Sequence, residues 1–308
     1  MSRARAYAQL VRLPNVFTAM ADIGLGALAS GALPRLWPQA LLLLLASSCL
    51  YCGGMVWNDI FDLEQDRRER PFRPLPSGRV SRAAAVRLGI GLLTAGLVLA
   101  CAAGWAGLTA SAGGPAWRAT PGVLAAVLAA AILLYDAWLK RTWAGPLAMG
   151  ACRFLNVLLG WQVARAAGWS WAVGVHLACV VGLYIAGVTW FARTEARASS
   201  RTALRAAAAV MLAGLVLALP VAEEVRPGRS SPFFIYLLVG LGFLVGIPVC
   251  EAVALPLPAR VQVAVKRAIL GLVVLDAVLA TALVGTGGLV LLVLLPPALY
   301  LGRWIYST

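Results

Sequence analysis

The sequence predicts an all-α polytopic membrane protein, a bundle of about nine to ten transmembrane helices, and three observations carry that prediction. Apolar residues make up 61% of the chain and charged residues only 12%, where soluble domains carry roughly a quarter. The apolar residues fall in runs of about twenty, the length that crosses a hydrocarbon core. Period-2 alternation is absent, which removes a barrel and leaves helices, whose backbone groups are satisfied within the segment.

The first expected span, 15–34, follows a basic N-terminus and opens on Leu13-Pro14-Asn15. It lacks a convincing cleavage site before Ala29-Ser30-Gly31-Ala32 and is long enough to span, so it reads as retained. The second, 38–58, starts beside Trp37 and runs into an acidic stretch. The third and fourth, 82–104 and 119–135, follow a charged connection. The fifth and sixth, 144–165 and 170–192, are bracketed by Trp143, Trp169 and Trp171. The seventh to tenth, 202–222, 233–253, 263–285 and 288–305, end near Trp304. Tryptophans at span ends, Trp117 included, read as an interfacial belt. The longest connection, 59–81, is too short to fold alone, so residues 1–308 read as one membrane domain.

The formal charge of +14 could suggest nucleic acid, but its distribution argues for membrane orientation instead. Alternate connections, beginning with the N-terminus, hold nineteen lysines and arginines, and the opposite side holds five. That asymmetry places the N-terminus and the acidic stretch on the cytoplasmic side of a bacterial-type plasma membrane. The chain divides near residue 143 into two four-helix halves of similar rhythm. In each, two spans precede a charged cytoplasmic loop and two follow, as in a pseudo-repeat around a central cavity.

Five of the twelve acidic side chains lie between Asp59 and Glu69. Asn58, Asp62 and Asp66 are four residues apart, which stacks them along one helix face. An amide and two carboxylates form a hard-oxygen surface suited to Mg²⁺ and its phosphates. Arg67, Arg68, Arg70 and Arg73 follow, then Pro74-Leu75-Pro76-Ser77-Gly78. An acidic face beside a basic turn suits a metal-bridged polyphosphate. No GxxxxGK loop is present, which excludes a kinase-like phosphate binder. Cys49 and Cys52 have a redox spacing but lie within a span, and all six cysteines read as small buried hydrophobes. His176 reads as a satisfied interior or interfacial residue.

The run from Asn58 to Gly78 resembles the first aspartate-rich signature of the UbiA superfamily of intramembrane prenyltransferases. Tyr135-Asp136-Ala137-Trp138-Leu139-Lys140-Arg141 looks like the family's Tyr-to-Lys-Arg segment, and Gly145 to Gly150 like the opening of its fifth helix. The resemblance implies Mg²⁺-assisted ionisation of an isoprenoid diphosphate and capture of the allylic cation by an acceptor, aromatic or another small polar or lipid molecule. It implies metal binding by Asn58, Asp62 and Asp66, with Asp59 as a further donor. Arg67, Arg73, Lys140 and Arg141 are implied at the diphosphate, with Tyr135 lining the same site. The second aspartate-rich motif is missing. In its place stands Trp190-Phe191-Ala192-Arg193-Thr194-Glu195-Ala196-Arg197, where Glu195 could hold a second Mg²⁺ or pair with Arg193. Alternatively, Arg193, Arg197 and Arg201 replace that metal's charge, since guanidinium forks match phosphate oxygens. This loop and the Asn15-Val16-Phe17-Thr18-Ala19 opening resemble a divergent EboC-like branch.

Ionisable groups at membrane depth face cavities or partners. Arg153 and Asn156 share one helix face and either line the cavity, touching acceptor or diphosphate, or serve an Asp22–Arg153 pair that orders the bundle. Asp276 reads as a partner of a neighbouring helix. Two other functions are compatible with these residues: a terpene cyclase that ionises the same diphosphate, and a non-catalytic lipid-binding or transport protein.

Overall fold

The protein, seen in a computed structural model, is described over residues 3–106, 118–193, 200–223 and 233–305. A short amphipathic helix, α1 (Arg3–Leu10), precedes a 3-10 turn at Leu13–Asn15 and α2 (Val16–Ala29). Then come α3 (Leu33–Phe61), α4 (Leu63–Glu69), α5 (Arg82–Ala106), α6 (Thr120–Ala137), α7 (Gly145–Ala166) and α8 (Trp171–Ala192). The chain continues through α9 (Arg201–Leu217), α10 (Phe234–Ala254), α11 (Pro258–Val284) and α12 (Leu295–Trp304). Among the described residues, eight helical segments are long and apolar enough to cross a membrane, and the shorter Leu13–Ala29 accompanies them. The chain is an integral membrane protein.

Helix starts follow local chemistry. Prolines sit in the first turn of α3, α6, α7, α11 and α12, where the missing N–H would have no partner anyway. Ser170 caps α8 by accepting from the Val173 N–H. The tenth expected span departs from a regular helix. Gly285, at φ 71°, reverses the chain; residues Gly285–Leu294 then run as a 3-10 stretch before α12. This segment returns along α11 and α2 and reaches the Leu13–Asn15 turn.

The halves are visible in the packing order. α2, α3, α5 and α6 pack in sequence, as do α7, α8, α9 and α10. The two leading helices, α2 and α7, cross at Gly26 and Gly160. A Cβ on Gly26 would lie 2.3 Å from the Gly160 carbonyl oxygen, and one on Gly160 would lie 2.6 Å from the Ile23 Cα. Small residues permit this backbone contact where lipid supplies no hydrophobic drive. α11 closes the ring between α10 and α2 and touches α8. Trp37, Trp143, Trp171 and Trp304 are exposed or nearly so, as an interfacial belt requires. Of the cysteines, expected inside, Cys152 is buried, Cys49 and Cys52 are half-buried, and Cys101, Cys179 and Cys250 are exposed. An outward thiol on a spanning helix meets lipid rather than water, so it behaves there as a small hydrophobe. His176 Nε2 meets the Leu217 carbonyl at 2.8 Å.

Candidate active site

The site is built where α3 outlasts the membrane. At 1.5 Å per residue its 29 residues extend about 44 Å, well beyond a hydrocarbon core of about 30 Å. A helix of that length extends beyond the core, and its last turn carries the polar residues Asn58 and Asp59. The single-face helix expected for Asn58, Asp62 and Asp66 is interrupted, because Asp62 leaves helical geometry (φ −91°, ψ 3°) between α3 and α4. The i to i+4 backbone bonds persist across the kink, Asp62 N–H to Asn58 at 3.0 Å and Asp66 N–H to Asp62 at 2.8 Å. The side chains nonetheless diverge to three different partners.

Asp62 faces a cavity of about 350 Å³ lined by Gln65, Tyr135, Lys140, Arg141, Thr189 and Arg193, among others. Its two oxygens are each taken by a cation, Lys140 Nζ at 2.7 Å and Arg141 at 3.2 Å. Arg193, at the end of α8, donates to the Thr142 carbonyl across the same opening. Lys140 and Arg141 reach inward because α6 ends at Ala137 and a 3-10 turn, Leu139–Arg141, folds the chain into α7.

Asp66 and Arg73 form a buried pair at 2.7 Å, with Asp59 3.6 Å from the same guanidinium. Arg73 thus braces the turn and does not line the cavity. Arg67 is exposed at 57% and pairs with Glu64 at 2.7 Å on the outer face of α4, away from the cavity. Arg153 and Asn156 lie deeper, both bonded to Asp22. Glu195 and Arg197 fall outside the described residues.

Two contributors escape sequence reasoning. Arg12 donates to Asn58 Oδ1 at 3.3 Å and to Asp59 at 3.4 Å. It does so from φ 48°, the left-handed region, as the one non-glycine residue with positive φ among those described. Such strain, about 1–3 kcal/mol, persists where surrounding contacts over-determine it. Burial opposes the Arg12 charge, but Asp59, Tyr51 and Asp136 outweigh it and hold its pKa above the ordinary arginine value. Asp136, buried at the end of α6, accepts from Asn58 Nδ2 at 2.7 Å and so orients the amide. Its signal was present: Asp136 and Lys140 stand four apart after an apolar run.

The three motif carboxylates therefore meet four cations, Arg12, Arg73, Lys140 and Arg141, with Arg193 beside them. Guanidinium and ammonium groups at a low-dielectric mouth attract a polyanion. In donor chemistry, Asn58, Asp59, Asp62 and Asp66 supply the oxygens that Mg²⁺ takes. In placement, they are dispersed: no group of three His, Cys, Asp or Glu converges on one point among the described residues. Asp62 alone of the motif carboxylates opens on the cavity, so it is the residue that would hold Mg²⁺ there.

Comparison with known proteins agrees with this geometry. The UbiA prenyltransferase family model matches residues 16–255. The digeranylgeranylglyceryl phosphate synthase of Sulfurisphaera tokodaii is 35% identical over 95 residues, 31% of this chain and 34% of that protein. The synthase of the same name from Methanococcus vannielii is 39% identical over 100 residues, again 31% and 34%. The chain thus spans about a third of the length of the curated relatives it matches. A solved structure described as giving insights into digeranylgeranylglyceryl phosphate synthase in membranes superimposes with a TM-score of 0.64. It has 21% identity and covers 93% of this chain and 100% of that one. An apo UbiA homolog from Aeropyrum pernix K1 superimposes at 0.61, with 20% identity over 86% and 96%. These two likenesses establish the fold.

Proposed function

The chain belongs to the UbiA prenyltransferase family, and from that premise we propose that it transfers a prenyl group from an isoprenoid diphosphate to an acceptor within the membrane. The observation that carries this reading is Asp62 at a cavity ringed by Lys140, Arg141 and Arg193. The reaction breaks the allylic C–O bond, the electron pair leaving with the diphosphate. A nucleophilic atom of the acceptor bonds to the freed carbon and gives up its proton. Bound Mg²⁺ would supply Lewis-acid neutralisation of the leaving charge, held through Asp62 with Asn58, Asp59 and Asp66 behind it.

This chain's own residues do the remainder. Lys140 and Arg141 are paired with Asp62 at rest; an arriving diphosphate offers them a stronger partner, and Asp62 would then be free to hold Mg²⁺. Arg193 supplies charge where the family's second carboxylate motif is missing, which favours a one-metal, arginine-assisted site with Arg197 and Glu195 as further candidates. Tyr135 forms the cavity wall. Because Arg73 and Arg67 are engaged elsewhere, the cations assigned to the diphosphate are Lys140, Arg141 and Arg193.

The relatives are named for a prenylated glyceryl phosphate, so a glycerophosphate-type acceptor is the preferred class here. A single membrane domain over residues 1–308 is supported by the packing of α11 on α2 and α8 and of the segment after it on α2. The positive-inside asymmetry supports a cytoplasmic site. The test is binding of a non-hydrolysable geranylgeranyl diphosphate analogue with Mg²⁺. Arg193→Ala weakens it about tenfold to a hundredfold, as loss of one charge-assisted contact of roughly 1.5–3 kcal/mol predicts, with unchanged thermal stability. Equal affinity would remove the arginine-assisted site.

A further inference from the structure

A second polar centre lies deeper in the bundle, and part of it comes from α11, beyond the stretch that matches the family model. Asp22 of α2 and Asp276 of α11 are both completely buried, at 0% exposure. One oxygen of Asp22 takes two donors from α7, Asn156 Nδ2 at 2.7 Å and Arg153 at 3.1 Å. Arg153 also donates to Thr18 Oγ1 at 2.7 Å, and Ser47 of α3 donates to Asn156 Oδ1 at 2.7 Å. The other Asp22 oxygen and both oxygens of Asp276 receive no N–H or hydroxyl donor. α11 packs directly on α2, and the two buried carboxyls are immediate electrostatic neighbours there.

Charge counting decides what this contact is. Two carboxylates and one guanidinium would leave a net negative charge in the interior, with two like charges touching, which a low-dielectric site does not sustain. One proton must therefore be shared between the acids. Asp22 has a guanidinium and an amide stabilising its ionised form, whereas Asp276 has no such donor, so the proton belongs on Asp276. The remaining charged and titratable groups facing the pair are Arg153 and each other; Tyr184 of α8 is committed to the Ala268 carbonyl at 2.9 Å.

We propose that Asp276 is a neutral carboxylic acid that donates to Asp22 and, through it, positions Arg153 in the bundle interior. The acid ties α11 to the α2–α7 crossing, and Asp22 then holds Arg153 with its guanidinium carbon 5.8 Å from the Tyr51 ring centroid. Asp276 is thus a positioning residue. It also commits the Arg153 charge to an internal partner, so a carboxylate on the acceptor would have to compete with Asp22 for it. This inference stands apart from the diphosphate reading, because it requires no substrate.

The experiment uses the full chain in lipid nanodiscs at neutral pH and reads the infrared carbonyl stretch of protonated carboxyl groups, alongside thermal unfolding. Wild type shows a protonated-carboxyl band that Asp276→Asn removes. Asn keeps a neutral donor, so Asp276→Asn holds its Tm within about 2 °C of wild type, while Asp276→Leu, which has no donor, falls. Asp22→Asn strands Arg153 without a counter-ion and lowers Tm by on the order of 10 °C. Two outcomes overturn the proposal: an infrared band indifferent to Asp276→Asn, or an Asp276→Asn variant at least as unstable as Asp22→Asn. Should Asp22→Asn not fold, the infrared comparison of wild type with Asp276→Asn still decides.

Discussion

Arg67 and Arg73 show how far a residue's type can stand from its task. Both follow the acidic motif, and both resemble diphosphate ligands in sequence, yet one is exposed beside Glu64 and the other is buried between Asp59 and Asp66. Removing a buried cation leaves its carboxylates uncompensated, so Arg73→Ala should cost about 3–5 kcal/mol. An exposed i, i+3 pair contributes little, so Arg67→Ala should change stability by less than about 0.5 kcal/mol. Thermal unfolding of the two variants in one detergent checks both, and equal losses would refute the placement. The acidic cluster itself was legible because five carboxylates in an apolar chain need a chemical cause. The partners of Asn58 were not, since Arg12 and Asp136 lie 46 and 78 residues away and only the folded chain brings them together. Arg153 was readable as one of two alternatives; the Asp22 contact realises the interior pair.

At the scale of elements, hydropathy placed most of the spans because lipid imposes length and apolar content on each, but the first, expected over 15–34, is a helix of only 14 residues, Val16–Ala29. Hydropathy could not place the ends of the spans. α3 continues into a polar stretch, where hydropathy has no further say, and that extension is what delivers Asn58 and Asp59 to the site. Nor could it detect the kink at Asp62, since side-chain spacing reads the same across a one-residue break. The tenth passage looked like a plain helix by composition, but the glycine run from Gly285 to Gly288 and the pair Pro296-Pro297 give it a 3-10 start and a short helix. The α2–α7 crossing makes a direct prediction at this scale. A valine at Gly160 would collide with the Ile23 backbone, where neither side can yield as a flexible side chain would. Gly160→Val should destabilise by about 1–3 kcal/mol or more, whereas Gly240→Val, with open space around its Cβ position, should leave the unfolding temperature unchanged. Equal behaviour of the two would show that the halves are not held by that crossing.

At the scale of the whole molecule, two helical halves meet along α2 and α7, and both the cavity at Asp62 and the buried acid pair are assembled from segments far apart in the chain. Charge asymmetry and span rhythm made the halves readable from sequence. The cationic answer to the acidic motif was only partly readable, because it depends on where α6 and α8 end relative to α3. The reading as a prenyl-transfer enzyme stands on that juxtaposition. It is tested most directly by diphosphate release from geranylgeranyl diphosphate by the purified chain in nanodiscs. The assay contains Mg²⁺ and a glycerophosphate ether lipid as acceptor and compares wild type with Asp62→Asn. The account predicts Mg²⁺-dependent release with prenylated product from wild type, and a loss of about a hundredfold or more in the variant. Release at the same rate from both proteins would contradict it.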